Sequence, residues 1–150
     1  GYRYPFAHIA PIRTPGSYSL PLLIGAVVAL NEYREIEETI FRLRNELLGH
    51  LREIDGVRTI GSTDEKTRYL SFLVDRYSGE EVLRALLKSG INIDAGSACS
   101  AEDLAPSHVI AAMGLPTTGH LRATIHAETN AADIENLATQ LKSALQNLRS

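Results

Sequence analysis

Four of the chain's six prolines, Pro5, Pro11, Pro15 and Pro21, fall within its first 21 residues, and a long helical pattern begins at the last of them. Proline lacks an amide hydrogen and locks φ, so this density forbids a continuous helix and disfavours a central strand. Residues 1–20 are therefore expected to form an extended arm without a core of its own. A compact domain does not ordinarily start on a long structureless segment. The arm is expected to wrap another surface or to belong to a larger architecture.

Pro21 suits the first turn of a helix. Leu22, Leu23, Ala26, Val27 and Leu30 crowd that helix on nearly every side, which predicts that it is buried on most sides; Gly25 weakens it slightly. Ile36, Ile40, Leu43, Leu47, Leu51 and Ile54 then recur at steps of three and four residues with Glu and Arg between them, as in an amphipathic helix. The two patterns are expected to join as one helix over residues 21–55, stopped by Gly56. The uncharged run from Leu20 to Leu30 falls short of the roughly 20 apolar residues that cross a bilayer, so no membrane partner is expected.

Residues 56–150 alternate strand and helix signals. Val57–Ile60 is a short strand candidate, and Tyr69–Val74 has the strongest β-propensity in the chain. Ser78 with Glu81 forms a capping box for a helix that ends before Gly90. Ile91–Ile93 reads as a brief strand. Pro106 opens a helix with Val109, Ile110 and Met113 on its inner face, ended by Gly114. Leu121–Ile125 is a further strand, and Asn130 caps a last helix with a stripe of Ile134, Leu137, Leu141, Leu145 and Leu148. The fold class expected is α/β: a small sheet of about three strands backed by helices, a long N-terminal helix, and the Pro-rich arm before it.

Composition narrows the function. A net charge of −3 gives no reason to expect nucleic acid as a partner. A single cysteine cannot form an internal disulfide, and no Cys/His cluster has zinc-ligand spacing, so a reducing, cytoplasmic setting without a metal is expected. Only His120 and His126 share a strand face, and no carboxylate ligand accompanies them. Dinucleotide and P-loop motifs are absent. The cysteine itself, Cys99, follows Gly96-Ser97-Ala98. Cysteine is usually a buried small hydrophobe, yet such small neighbours cannot enclose it and leave the backbone free. On local sequence alone, the reactive and the structural thiol both stand open.

Gly96-Ser97-Ala98-Cys99-Ser100, followed by Pro106-Ser107-His108-Val109-Ile110-Ala111-Ala112-Met113-Gly114-Leu115, resembles the catalytic-loop signature of the cysteine desulfurases, pyridoxal-phosphate enzymes of the class V aminotransferase family. Pro15-Gly16-Ser17 with Pro21-Leu22-Leu23-Ile24-Gly25 is similar to that family's Gly-Thr motif and the interdomain helix after it. Leu121-Arg122 stands where the family's strand carries an arginine, and Thr129 with Asp133-Ile134-Glu135 matches the approach to its last helix. The order holds from about residue 13 to the end.

There are departures. Ala123, Thr124, Ile125 and His126 replace the family's usual run after the arginine, Ser17 replaces a threonine, and Arg13 is displaced by one residue. No His-Lys pair is present; the three lysines are Lys66, Lys88 and Lys142. The resemblance implies the small, C-terminal domain of the aspartate-aminotransferase-type fold, starting after the cofactor lysine. It divides the chain into an arm at the large-domain and dimer interface (1–20), an interdomain helix (21–55) and a small domain with the cysteine loop (56–150).

The resemblance also implies chemistry. Cys99 is then the nucleophile that takes sulfur from L-cysteine as a persulfide and releases alanine, and a flexible tether suits that task. Glu102 and Asp103 disfavour its thiolate, so activation comes from the cofactor or substrate side. Arg122 is the anchor for the substrate carboxylate, because a planar guanidinium gives two parallel hydrogen bonds. Ser17 reaches the phosphate of pyridoxal phosphate across a dimer interface, although a plain Gly-Ser turn explains it equally. The implied partners are L-cysteine, a large cofactor-bearing domain or chain, a homodimer mate and a sulfur-acceptor protein; alone, the chain is expected to be inactive. The alternatives are a non-catalytic interaction module of the same fold, or the small domain of a selenocysteine lyase or other class V relative.

Overall fold

The computed structural model describes residues 19–61, 66–95 and 108–148. The chain divides between Glu35 and Ile36 into two compact units, and helix α1 (Leu20–Arg52) carries the backbone from one to the other.

In the first unit the described residues are the apolar start of α1. Leu20, Leu22, Leu23, Ile24, Val27, Val28 and Leu30 are all exposed, Leu22 to 75%. This corrects the expectation of a helix buried on most sides. Apolar character states a demand for burial, and among the described residues nothing meets that demand.

In the second unit the amphipathic part of α1 behaves as its spacing predicts. Ile40, Leu43, Leu47, Leu51 and Ile54 are buried, and the turn after the helix closes at Gly56 with φ of 81°. Strands β1 (Val57–Ile60), β2 (Tyr69–Val74), β3 (Asp94–Ala95) and β4 (His120–Thr124) form one sheet in the order β1-β2-β4-β3, with every pair antiparallel. The sheet thus has four strands; β3 follows the Ile91–Ile93 position expected for it and spans two residues.

Among the described residues this unit also holds the helices α2 (Gly79–Leu87), α3 (His108–Ala112) and α4 (Ala131–Asn147). Both capping signals are realised. Ser78 Oγ accepts from the Glu81 amide while Glu81 accepts from the Ser78 amide, and Asn130 and Asp133 do the same for α4. Helix α2 ends in a Schellman turn, with the Ile91 amide donating to Leu86 O and Gly90 at φ of 75°, a conformation that glycine adopts freely. Of the inner face expected for α3, only Ile110 is buried; Val109 and Met113 are exposed.

Strand alternation gives the sheet two unlike faces. Leu70, Phe72 and Val74 share one face with Leu121 and Ala123, and all five are buried. With Val82 and Leu86 of α2 and Ile134, Leu137, Leu141 and Leu145 of α4 they form the core. Tyr69, Ser71, Arg122 and Thr124 share the other face, and each keeps some exposure. Leu73 and His120, paired on that second face, are buried, so only part of it is open.

Candidate functional site

The open face centres on Arg122, on the inner strand β4. Its cross-strand neighbours are Ser71 on β2 and Asp94 on β3. The guanidinium lies over the ring of Tyr69, 5.4 Å from its centroid, a distance at which a cation is attracted to the ring face. It donates to a single oxygen of Asp94, from Nη2 at 2.7 Å and from Nε at 3.2 Å. Arg122 and Asp94 side chains are 39% and 51% exposed. An ion pair so open to water contributes about 0–1 kcal/mol, so the guanidinium is available to a competing anion.

The strand under it is tied to helix α1. Buried Arg44 of α1 donates from Nε to the Tyr69 carbonyl at 3.0 Å and fixes the start of β2. A cleft of about 440 Å³ runs beside the arginine, lined on one side by residues of the 90–94 segment and on the other by Thr124, His126 and Leu137. A second, of about 310 Å³, lies beneath Tyr69 and Ser71 and is bounded by Arg44, Ile60 and Met113.

His120 is two residues before Arg122 on the same strand face. It is 8% exposed, and neither ring nitrogen has a hydrogen-bond partner among the described residues. Burial lowers its pKa below the usual 6.5, and the Arg122 charge adds to the effect. His126 lies beyond the strand, its amide donating to Thr129 Oγ1 at 3.0 Å. Among the described residues no group of three or more His, Cys, Asp or Glu side chains could hold a metal ion.

Of the three residues singled out from sequence, Arg122 is the one the structure describes. Cys99 and Ser17 lie outside the described residues. Three members of the site escaped sequence reading. Tyr69 registered only as a strand residue, His120 only as half of a histidine pair, and Asp94 as part of the run into the cysteine loop. A charge opposite Arg122 on a two-residue strand has no local signature; a strand reading that reached Asp94 could have raised it.

The profile of the Aminotransferase class-V family matches residues 12–137. The chain belongs to this family. A cysteine desulfurase from Rhodobacter capsulatus is 32% identical over 148 residues, covering 91% of this chain and 38% of that protein. The class V chain thus spans little more than a third of that relative's length. Among solved structures, a NifS-like protein superposes with a TM-score of 0.66 at 19% identity, over 87% of this chain and 35% of its own. The cysteine desulfurase CsdA from Escherichia coli does so with a TM-score of 0.65 at 21% identity, over 87% of this chain and 32% of its own. These show the fold to be that of the class V enzymes.

Pyridoxal phosphate is the family's cofactor, and the described residues fit only one side of its chemistry. Arg122 presents a partly exposed guanidinium that is paired only with the exposed carboxylate of Asp94 among the described residues. Lys66 is held 3.8 Å from Glu38 and over the Phe41 ring, Lys88 caps the end of α2, and Lys142 sits on the exposed side of α4. None of them lines either cleft beside Arg122. In the described part of this class V chain, the guanidinium of Arg122 is partly exposed and none of the three lysines lines the cleft beside it.

Proposed function

We propose that the chain is the sulfur-accepting portion of a pyridoxal-phosphate-dependent cysteine desulfurase. Arg122 binds the α-carboxylate of L-cysteine, and Cys99 takes its sulfur. The supporting observation is the register of β3. Ala95 pairs with Leu121, the neighbour of Arg122, and Cys99 follows Ala95 by four positions in the chain. Four residue steps span at most about 14 Å, a length compatible with a thiol that reaches the arginine.

The net reaction balances. L-cysteine and the Cys99 thiol give alanine and a Cys99 persulfide: one S–S bond forms, the carbon–sulfur bond of the substrate breaks, and its electron pair stays on carbon, which gains a proton. Pyridoxal phosphate, when bound, supplies the electron sink for that cleavage. The lysine that carries it belongs to a large domain or separate chain, and Ser17 contributes to its phosphate across a dimer interface. Arg122 orients the amino acid by two parallel hydrogen bonds. A reducing cytoplasm keeps Cys99 as a free thiol until it reacts, and a protein acceptor then removes the sulfur.

The test is turnover. With pyridoxal phosphate and L-cysteine, the chain alone is expected to release no alanine. Supplied with a cofactor-bearing large domain of the family, it is expected to release alanine in a Cys99-dependent manner. Alanine formed by the chain alone, or by the assembly carrying Cys99→Ser at an undiminished rate, refutes the proposal.

A further inference from the structure

The Nε and Nη2 donors of Arg122 form the edge of a guanidinium that takes a carboxylate side-on, one oxygen to each N–H. In this structure that edge is already filled. Both donors converge on Oδ2 of Asp94, and Oδ1 makes no hydrogen bond among the described residues. One oxygen does the work that two oxygens of a free carboxylate would share. Asp94 is also half exposed and stands on an edge strand of two residues, so its carboxylate can leave into water. The Tyr69 ring lies beneath the guanidinium, its centroid 5.4 Å away, and is a contact of Arg122 separate from Asp94.

We infer that Asp94 is a placeholder carboxylate, which pairs with Arg122 while the site is empty and yields to the carboxylate of the incoming ligand. The inference builds on Arg122 as the carboxylate anchor. Asp94 touches no reacting atom in this scheme; it is a specificity-determining residue. A ligand that cannot replace the lost negative charge cannot evict it, so the pair filters for anions. Its cost in affinity is modest. An exposed pair contributes up to about 1 kcal/mol, a factor of about five in binding.

The test is a titration of the 150-residue chain with L-alanine, an unreactive amino acid, and with its neutral-headed amide, L-alaninamide, followed on the backbone amides of Leu121 and Ala123 by NMR. Asp94→Asn is expected to bind L-alanine about fivefold more tightly than the wild type and to gain affinity for L-alaninamide as well. Asp94→Ser, which cannot re-form the contact through a side-chain amide, is expected to match it. Arg122→Gln is expected to abolish binding of L-alanine. Unchanged or weaker L-alanine binding in both Asp94 variants, with Arg122→Gln still abolishing it, overturns the placeholder and leaves the anchor standing. L-alanine binding that survives Arg122→Gln overturns the anchor, and the placeholder with it.

Discussion

His120 carries a buried imidazole that has no hydrogen-bond partner among the described residues, two residues from a permanent positive charge. Its folded state therefore favours the neutral ring, with a pKa below 6.5, while the unfolded chain takes up a proton near that value. Where the unfolded state binds more protons, stability rises with pH. The stabilisation is present above pH 6.5 and is lost as pH falls through the lowered folded value. Urea-unfolding midpoints measured from about pH 7.5 down to about pH 5 are expected to fall for the wild type, and His120→Leu is expected to flatten that slope. An equal slope in both chains places the pH sensitivity elsewhere. At this scale the sequence was legible for the placement of Arg122 between apolar neighbours on a strand. It was silent on Asp94 and Tyr69, because their roles come from pairing 28 and 53 residues away in the chain, and no local pattern encodes a register.

Elements with a local cause were the readable ones. Ser78 and Asn130 cap α2 and α4 because the capping residue and its partner lie three residues apart, and Gly90 and Gly114 end α2 and α3 at positive φ. The strand β2 followed from β-propensity alone. The β3 segment did not, since Ile91–Ile93 is more strand-like than Asp94-Ala95 and only the sheet decides which of them pairs. One glycine joins these elements in a way that sequence could not announce. A Cβ on Gly119 would clash with the Val74 carbonyl, and the Gly119 carbonyl accepts from the Val74 amide at 2.9 Å, so the chain before β4 approaches β2 through a gap that only hydrogen fits. Gly119→Ala is expected to lower unfolding free energy by about 1–3 kcal/mol, the usual effect of forcing an extra methyl into a packed site. Equilibrium denaturation reads this directly; an unchanged midpoint shows that the β2–β4 junction yields without strain.

For the whole molecule, an apolar helix start with Leu20, Leu22, Ile24, Val27 and Val28 all at least half exposed demands a cover. Burying such side chains is worth about 1.5–3 kcal/mol each, enough to drive association in water. Light scattering is expected to show a mass above the monomer that rises with concentration, and Ile24→Lys with Val28→Lys is expected to restore the monomer. A wild-type chain that stays monomeric throughout contradicts this. Class V membership was legible from four motifs in register, because each records a fixed chemical task. What covers the first helical turns was not, because burial depends on what surrounds a helix as well as on its composition. The central claim is that Cys99 takes sulfur from an amino acid held by Arg122, and intact mass spectrometry of this chain tests it most directly. After incubation with L-cysteine and a cofactor-bearing large domain, the chain is predicted to gain one sulfur atom, located on Cys99 and largely lost in Arg122→Gln. No added sulfur, or sulfur that arrives equally without Arg122, contradicts the account.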